Sequence, residues 1–194
     1  ADAAGARQAR RVPGLVMDAP DAQTDTSSIV AAFWEVARVR AKLNPTGYYT
    51  GERPEGLLPP PAWAFGATPD EADALLALVL SGDKTATAGA LWDYEAEGED
   101  LPEPGALAIV TDGRGIPHAL IATTRVDVVP FDEVTAEHAF LEGEGDRSLA
   151  TWRQVHEKFF TDNAVHDRGF RSDMPVVLQR FTVLYRHTSA AGTD

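Results

Sequence analysis

Two runs of strand-forming residues, 106–111 (ALAIVT) and 117–129 (PHALIATTRVDVV), are joined through Asp112-Gly113-Arg114-Gly115 and Ile116. This spacing constrains the fold more than any other feature of the chain. Aspartate and glycine between two apolar runs are the signal of a β-hairpin. A hairpin makes its strands antiparallel neighbours and excludes a regular strand–helix–strand alternation. A further run at 175–187 (PVVLQRFTVLYRH) reads as a final long strand, and residues 84–91 read as a strand leaving a helix. The strands cluster in the second half and do not alternate with helices, which predicts a mixed α+β barrel and not a doubly wound parallel sheet.

The helices are signalled by period and caps. Thr26, Ser27 and Ser28 offer caps for a first helix with Ile29, Ala32, Phe33, Val36, Ala37, Arg40 and Leu43 at helical spacing, stopped at Asn44-Pro45. Thr68, Pro69 and Glu71 supply a cap, a first-turn proline and a capping-box glutamate for a second, with Leu75, Leu76, Val79 and Leu80 on its apolar face and Gly82 as its stop. Asp132 is the expected cap of a short helix over 133–141. Ser148 is the expected cap of another, with Trp152, Val155, Phe159 and Phe160 on one face. Residues 92–105 read as an acidic loop. Residues 44–67 form a long Pro-, Gly- and aromatic-rich loop whose Tyr48, Tyr49, Trp63 and Phe65 are expected to pack on the barrel or border a site. The expected organisation is a mobile tail over 1–25, one domain over 26–187 with a helical N-terminal extension, and a second mobile tail over 188–194.

Composition narrows the function. A net charge of −13 over 194 residues opposes coating of a long duplex, which depends on many Lys and Arg contacts to phosphate. A local site for a nucleoside or a short single strand is compatible with it. There are no cysteines, which removes disulfides, thiolate zinc sites and cysteine nucleophiles and fits a cytoplasmic setting. No stretch approaches the roughly 18 consecutive apolar residues of a membrane helix, and the N-terminus has no apolar core of a secretory leader.

Two constellations can carry chemistry. The first is Gly82-Asp83-Lys84-Thr85-Ala86-Thr87, where a lysine stands at the mouth of a strand beside hydroxyls. Such a lysine can hold an anion or activate a hydroxyl; the same pattern also describes a solvated lysine followed by strand-forming threonines. The second is Glu142-Gly143-Glu144-Gly145-Asp146. Carboxylates separated by glycines cannot continue a helix, and they can serve as general acid or base or bind a hard divalent cation. Asp146 can equally cap the next helix. His138 precedes Glu142 by four residues, and it, His118 and His156 are each expected to be structural. Phosphate-loop, dinucleotide, EF-hand, zinc-protease and nucleophile-elbow patterns are absent from the sequence.

Taken together, GDKTAT, LWDYEAEGEDLPEPGALAIVTDGRGIP, VVPFDEVTAEHAFLEGEGDRSLATWRQVHEKFF and the final strand resemble the ASCH family, over roughly residues 29–187. The resemblance implies a PUA-like β-barrel flanked by helices and a link to RNA or modified nucleosides. Small members resembling it remove the acetyl group of N4-acetylcytidine, with a lysine, a threonine three residues on, and a later glutamate. Here those positions are Lys84, Thr87 and Glu142. The arginine that follows the threonine in those enzymes has no counterpart in TATAGALW. The implied reaction is hydrolysis of an amide on a modified nucleoside without a cofactor: Lys84 as base or electrostatic activator, Thr87 as nucleophile, Glu142 as proton shuttle. Thr85, Trp92, Tyr94 and Arg147 are the expected substrate contacts. Two alternatives stay open. One is a metal-assisted ribonuclease on short single-stranded RNA, with the ion held by Glu142, Glu144 and Asp146. The other is a non-enzymatic module binding RNA or a nucleotide.

Overall fold

The computed structural model of the chain describes residues 20–43 and 58–187. In chain order the elements are helix α1 (Pro20–Arg40), strand β1 (Ala62–Trp63), helix α2 (Pro69–Ser81), strand β2 (Ala86–Ala90), helix α3 (Leu91–Glu97), strands β3 (Leu107–Thr111) and β4 (Pro117–Pro130), a 3-10 turn (Phe131–Glu133), helices α4 (Ala136–Glu142) and α5 (Leu149–Asp162), and strand β5 (Pro175–Arg186). The strands form one sheet in the order β1-β3-β4-β5-β2. β1 runs parallel to β3, and β2 runs antiparallel to β5 with Thr87 opposite Gln179. The fold is mixed α+β, as the hairpin requires. The expected barrel is not closed among the described residues. Closure needs the edge strands to bond to one another, and β1 and β2 stand at opposite ends of the order. No helix among the described residues is long and apolar enough to cross a membrane.

The chain packs as two compact units. The first takes in α1, β1, the start of α2 to Leu76, the segment Leu107–Ile121 and the chain from Val183. Its core joins Val30, Phe33, Trp34 and Ala37 of α1 to Ile109 and Leu120, with Phe33 packed on Tyr185 at a ring separation of 5.7 Å. This stripe differs from the expected one. The positions 30, 33, 34 and 37 bring in Trp34 and leave Val36 49% exposed. The helix also begins earlier than Thr26–Ser28 suggested, with Pro20 in its first turn where a missing N–H costs nothing. α1 thus enters the span read as a tail at Pro20; residues 1–19 and 188–194, and Tyr48 and Tyr49, lie outside the described residues. Trp63 lies in β1 and meets buried Phe65 edge-on at 4.6 Å. The hairpin turn is fixed by Asp112, whose Oδ1 accepts the N–H groups of Arg114 and Ile116 at 2.9 and 2.8 Å. The capping box at α2 is present: Thr68 Oγ1 accepts from Glu71 N, and Glu71 Oε2 accepts from Ala67 N and Thr68 N.

The second unit comprises Ala77–Ala106 and Ala122–Thr182. Its core is built from Ala90, Phe131, Val134, Ala139, Trp152, Phe160, Met174, Val176 and Leu178. Burying aromatic rings of this size contributes most of what holds the layer together. Ser148 caps α5 as expected, accepting from Thr151 N at 3.1 Å. The helix before it is displaced from the sequence reading. Phe131 is buried in the core, so Asp132 sits in the 3-10 turn, and Thr135 becomes the cap of α4 by accepting from His138 N. Residues 91–97 are helical where a loop was expected. α3 has no capping side chain at Ala90, and tertiary contacts hold it: buried Asp93 accepts Val165 N at 3.0 Å.

Candidate functional site

Every residue of the candidate site belongs to the second unit. α2 ends at Gly82, and the N–H groups of Asp83 and Lys84 both donate to the Leu78 carbonyl, at 2.9 and 3.0 Å. The chain then passes the end of α4, where Thr85 N donates to the Leu141 carbonyl at 2.8 Å. Gly143 caps α4 with φ of 75°. A Cβ there would lie 2.5 Å from the Asp83 carbonyl oxygen and 3.1 Å from Lys84 N. Glycine is what lets the glutamate-bearing turn dock on the lysine-bearing one. Gly143→Ala is accordingly expected to cost about 1–2 kcal/mol for the left-handed backbone alone, and more for the displaced peptide. A urea midpoint within error of wild type would contradict this close approach.

The docking brings Lys84, Glu142 and Glu144 together. Lys84 and Glu142 are each 1% exposed. Lys84 Nζ donates to Glu142 Oε2 at 3.1 Å and to Glu144 Oε1 at 2.7 Å. The other oxygen of Glu142 accepts from Trp152 Nε1 at 2.7 Å and lies 3.1 Å from His138 Nε2. His156 Nδ1 sits 3.0 Å from the Trp152 carbonyl, which can only accept, so Nδ1 carries a proton. His156 Nε2 then faces Glu142 at 3.6 Å, and its ring stacks on the Trp152 indole at 4.1 Å.

Burial opposes charge on both members of the central pair. For Glu142 that effect is outweighed by the Lys84 ammonium, then by His156 and the hydrogen bond from His138, so the carboxyl is held well below its ordinary 4.5. For Lys84, burial is likewise the largest single influence and pulls downward. Glu142 and Glu144 together outweigh it and raise the amine above its ordinary 10.5. Lys84 is thus an ammonium at neutral pH. A role as general base needs the opposite shift. The electrostatic role is compatible.

A small cavity of about 100 Å³ opens beside this network, lined by Ala139, Glu144, Gly145, Thr151, Trp152 and His156 among others. Glu144, at 26% side-chain exposure, links it to Lys84.

The remaining expected residues are placed differently. In β2, Ala88 and Ala90 face the core under α4 and α5, so strand alternation puts Thr87 on the opposite face. None of the described hydrogen bonds joins the Thr87 hydroxyl to Lys84 or Glu142. Thr85 Oγ1 lies 3.4 Å from the Leu141 carbonyl, on the seam between β2 and α4. Trp92 is wedged between His166, edge-on at 5.2 Å, and the Arg168 guanidinium. Tyr94 packs against Gly89. Arg147 pairs with Asp83 at 2.6 Å and lies over the Phe140 ring. The carboxylates proposed as metal ligands do not assemble into such a group. The Lys84 ammonium binds Glu142 and Glu144, Asp146 accepts from Ser148 N at 2.9 Å, and no metal-holding cluster occurs among the described residues.

Trp152, His138 and His156 are the network members that sequence reasoning assigned to structure alone. The signal was present as two helical pairs, His138 with Glu142 and Trp152 with His156, each four residues apart. Nothing in the sequence brings the two pairs to one carboxylate.

Comparison with known proteins bears on this arrangement. A family model described as an ASCH domain matches residues 61–185. The crystal structure of a DUF984-family protein from Enterococcus faecalis is similar, with a TM-score of 0.67 and 33% identity, covering 80% of this chain and 88% of that one. The structure of an ASCH domain from Lactobacillus crispatus is similar with a TM-score of 0.62 and 27% identity, covering 89% of this chain and 99% of the other. No curated protein matches the chain.

Proposed function

The chain belongs to the ASCH domain family, and on that footing we propose that its Lys84–Glu142 centre binds a small nucleoside-like molecule and hydrolyses an amide on it. N4-acetylcytidine is the substrate to test first. The reading is carried by one observation: a fully buried lysine is paired with two carboxylates beside a cavity. Buried ion networks are costly to form and contribute little net stability, so a strongly perturbed pair next to a cavity points to chemistry. The cavity has room for an acyl group or the edge of a base, about three waters' share of liquid volume.

In this mechanism the Lys84 ammonium donates to the amide oxygen and stabilises the oxyanion as it develops. Glu142, ionised at neutral pH, takes the proton of the attacking hydroxyl and returns it to the leaving amine. Thr87 supplies that hydroxyl to a substrate lying across the edge strand β2; the acyl-Thr87 ester left when the amine departs is then cleaved by a water whose proton Glu142 takes, which releases the acid and restores the hydroxyl. Single changes of Lys84, Thr87 and Glu142 to Ala are expected to lower cytidine release by about 10²–10⁴-fold, with wild-type turnover indifferent to EDTA. Undiminished release in all three variants would end the reading.

The placement of Thr87 on the face of β2 opposite Ala88 and Ala90 favours one second reading, a binding module for the same ligand class. It predicts stoichiometric binding of N4-acetylcytidine with no cytidine formed.

A further inference from the structure

A ligand oxygen cannot reach Lys84 while Glu144 is in place. Lys84 is 1% exposed, and Glu142 on its inner side is equally buried and tied to Trp152 and His138. Glu144 makes the shorter of the two contacts to Nζ, 2.7 Å against 3.1 Å, and it is the member that borders the cavity. It is also the member built to move. Its side chain is 26% exposed against 1% for Glu142, so the carboxylate can turn toward solvent while Gly143 stays docked on Asp83. Glu142 sits in the last turn of α4 and has no such freedom.

We propose that Glu144 is an internal occupant of the ligand's oxygen site: its carboxylate holds Lys84 in the empty protein and must leave when a ligand oxygen arrives. The inference rests on the reading of this centre as a ligand site. It adds the ligand's chemistry. A secondary amide presents an oxygen for Lys84 and, one atom away, an N–H that the displaced Glu144 can accept. A simple carboxylate offers the first without the second. Glu144 therefore selects acylated amines over anions of similar size. Its departure also removes one of the two negative charges that keep the amine protonated.

The chain makes the test clean, because Lys42, Lys84 and Lys158 are its only lysines. Lys42 is exposed and the Lys158 side chain is 77% exposed, so both serve as internal references. Reductive methylation with formaldehyde and cyanoborohydride, read by peptide mass spectrometry, is expected to spare Lys84 in wild type. In folded Glu144→Ala, Lys84 labelling relative to Lys158 should rise about tenfold, the scale of losing one charge-assisted hydrogen bond. Glu144→Gln should fall between. Calorimetric titration with acetate should show tighter binding to Glu144→Ala than to wild type, while N4-acetylcytidine loses part of that gain for want of its N–H acceptor. Unchanged Lys84 labelling in Glu144→Ala, with melting still cooperative, overturns the inference. The two proposals fail separately. Exposed Lys84 with no cytidine formed by wild type sinks the amide reading alone; cytidine formed with Lys84 labelling unchanged sinks the displacement alone.

Discussion

Lys84→Met is expected to destabilise the protein by about 3–5 kcal/mol, the cost of leaving one member of a buried ion pair without its partner. The cause is not lost attraction alone. Glu142 is 1% exposed and its carboxyl is held well below its ordinary value, so its charge is left in a buried place. Trp152 and His138 still donate to Glu142 Oε1, but Oε2 loses its partner at 3.1 Å. Glu142→Gln in the same background removes the stranded charge and should restore part of the loss. A double-mutant cycle in urea then reads a coupling well above the 0–1 kcal/mol of exposed pairs. Additive single effects would mean that the two groups do not share one buried site. Hydrophobic packing in the same unit, such as Phe131 with Trp152 and Phe160, is untouched by the change, so the loss reports the charge.

The second large effect is the pH profile of stability. Glu142 titrates below its ordinary 4.5 in the folded protein. A depressed carboxylate binds fewer protons folded than unfolded, so its contribution is present above pH 4.5 and disappears as the pH falls through the folded value. Each pH unit by which the folded value lies below 4.5 is worth about 1.4 kcal/mol at neutral pH. Lys84 works in the opposite sense. Its raised value means that its contribution is present below 10.5 and is lost as the pH rises through the folded value. The expected curve, as far as this pair shapes it, is a plateau between about 4.5 and 10.5 with a fall on each side. Chemical denaturation across pH measures it. Glu142→Gln should remove most of the acid limb, and a variant that keeps the full limb would place the responsible carboxylate elsewhere.

The fold was legible where local chemistry decides it. Asp112-Gly113-Arg114-Gly115 reads as a hairpin turn because the Asp112 carboxylate makes that turn with its own neighbours. Thr68 with Glu71, and Ser148 with Thr151, read as helix starts for the same reason. What failed was decided at long range. α3 has no cap and exists because Asp93 is held by Val165, 72 residues away. The start of α4 moved from Asp132 to Thr135 because Phe131 is needed in a core assembled from distant segments. The open sheet was hidden too, since pairing at the edges depends on which strands meet and not on their composition.

The site divides along the same line. Lys84 and Glu142 stood out through the glycines around them and through the family resemblance, and Gly143 explains why the glycine was informative: no side chain fits against Asp83. Thr87 follows from the motif spacing, yet a strand turns alternate residues to opposite faces, so spacing alone does not bring its hydroxyl to the lysine. Trp152 and His156 looked like one face of a helix, and they are; that this face carries hydrogen-bond donors to Glu142 becomes visible only when α4 and α5 are packed together.

The claim at the centre of this account is that Lys84 works as a charged ammonium and not as a base. With Lys42 and Lys158 as its only companions, the Lys84 Cε–Hε signal can be assigned by one substitution and followed by NMR across pH. A charged Lys84 gives a shift that stays flat through neutrality and moves only above 10.5. A Lys84 signal that titrates between pH 6 and 9 would contradict it and return the lysine to the role of general base.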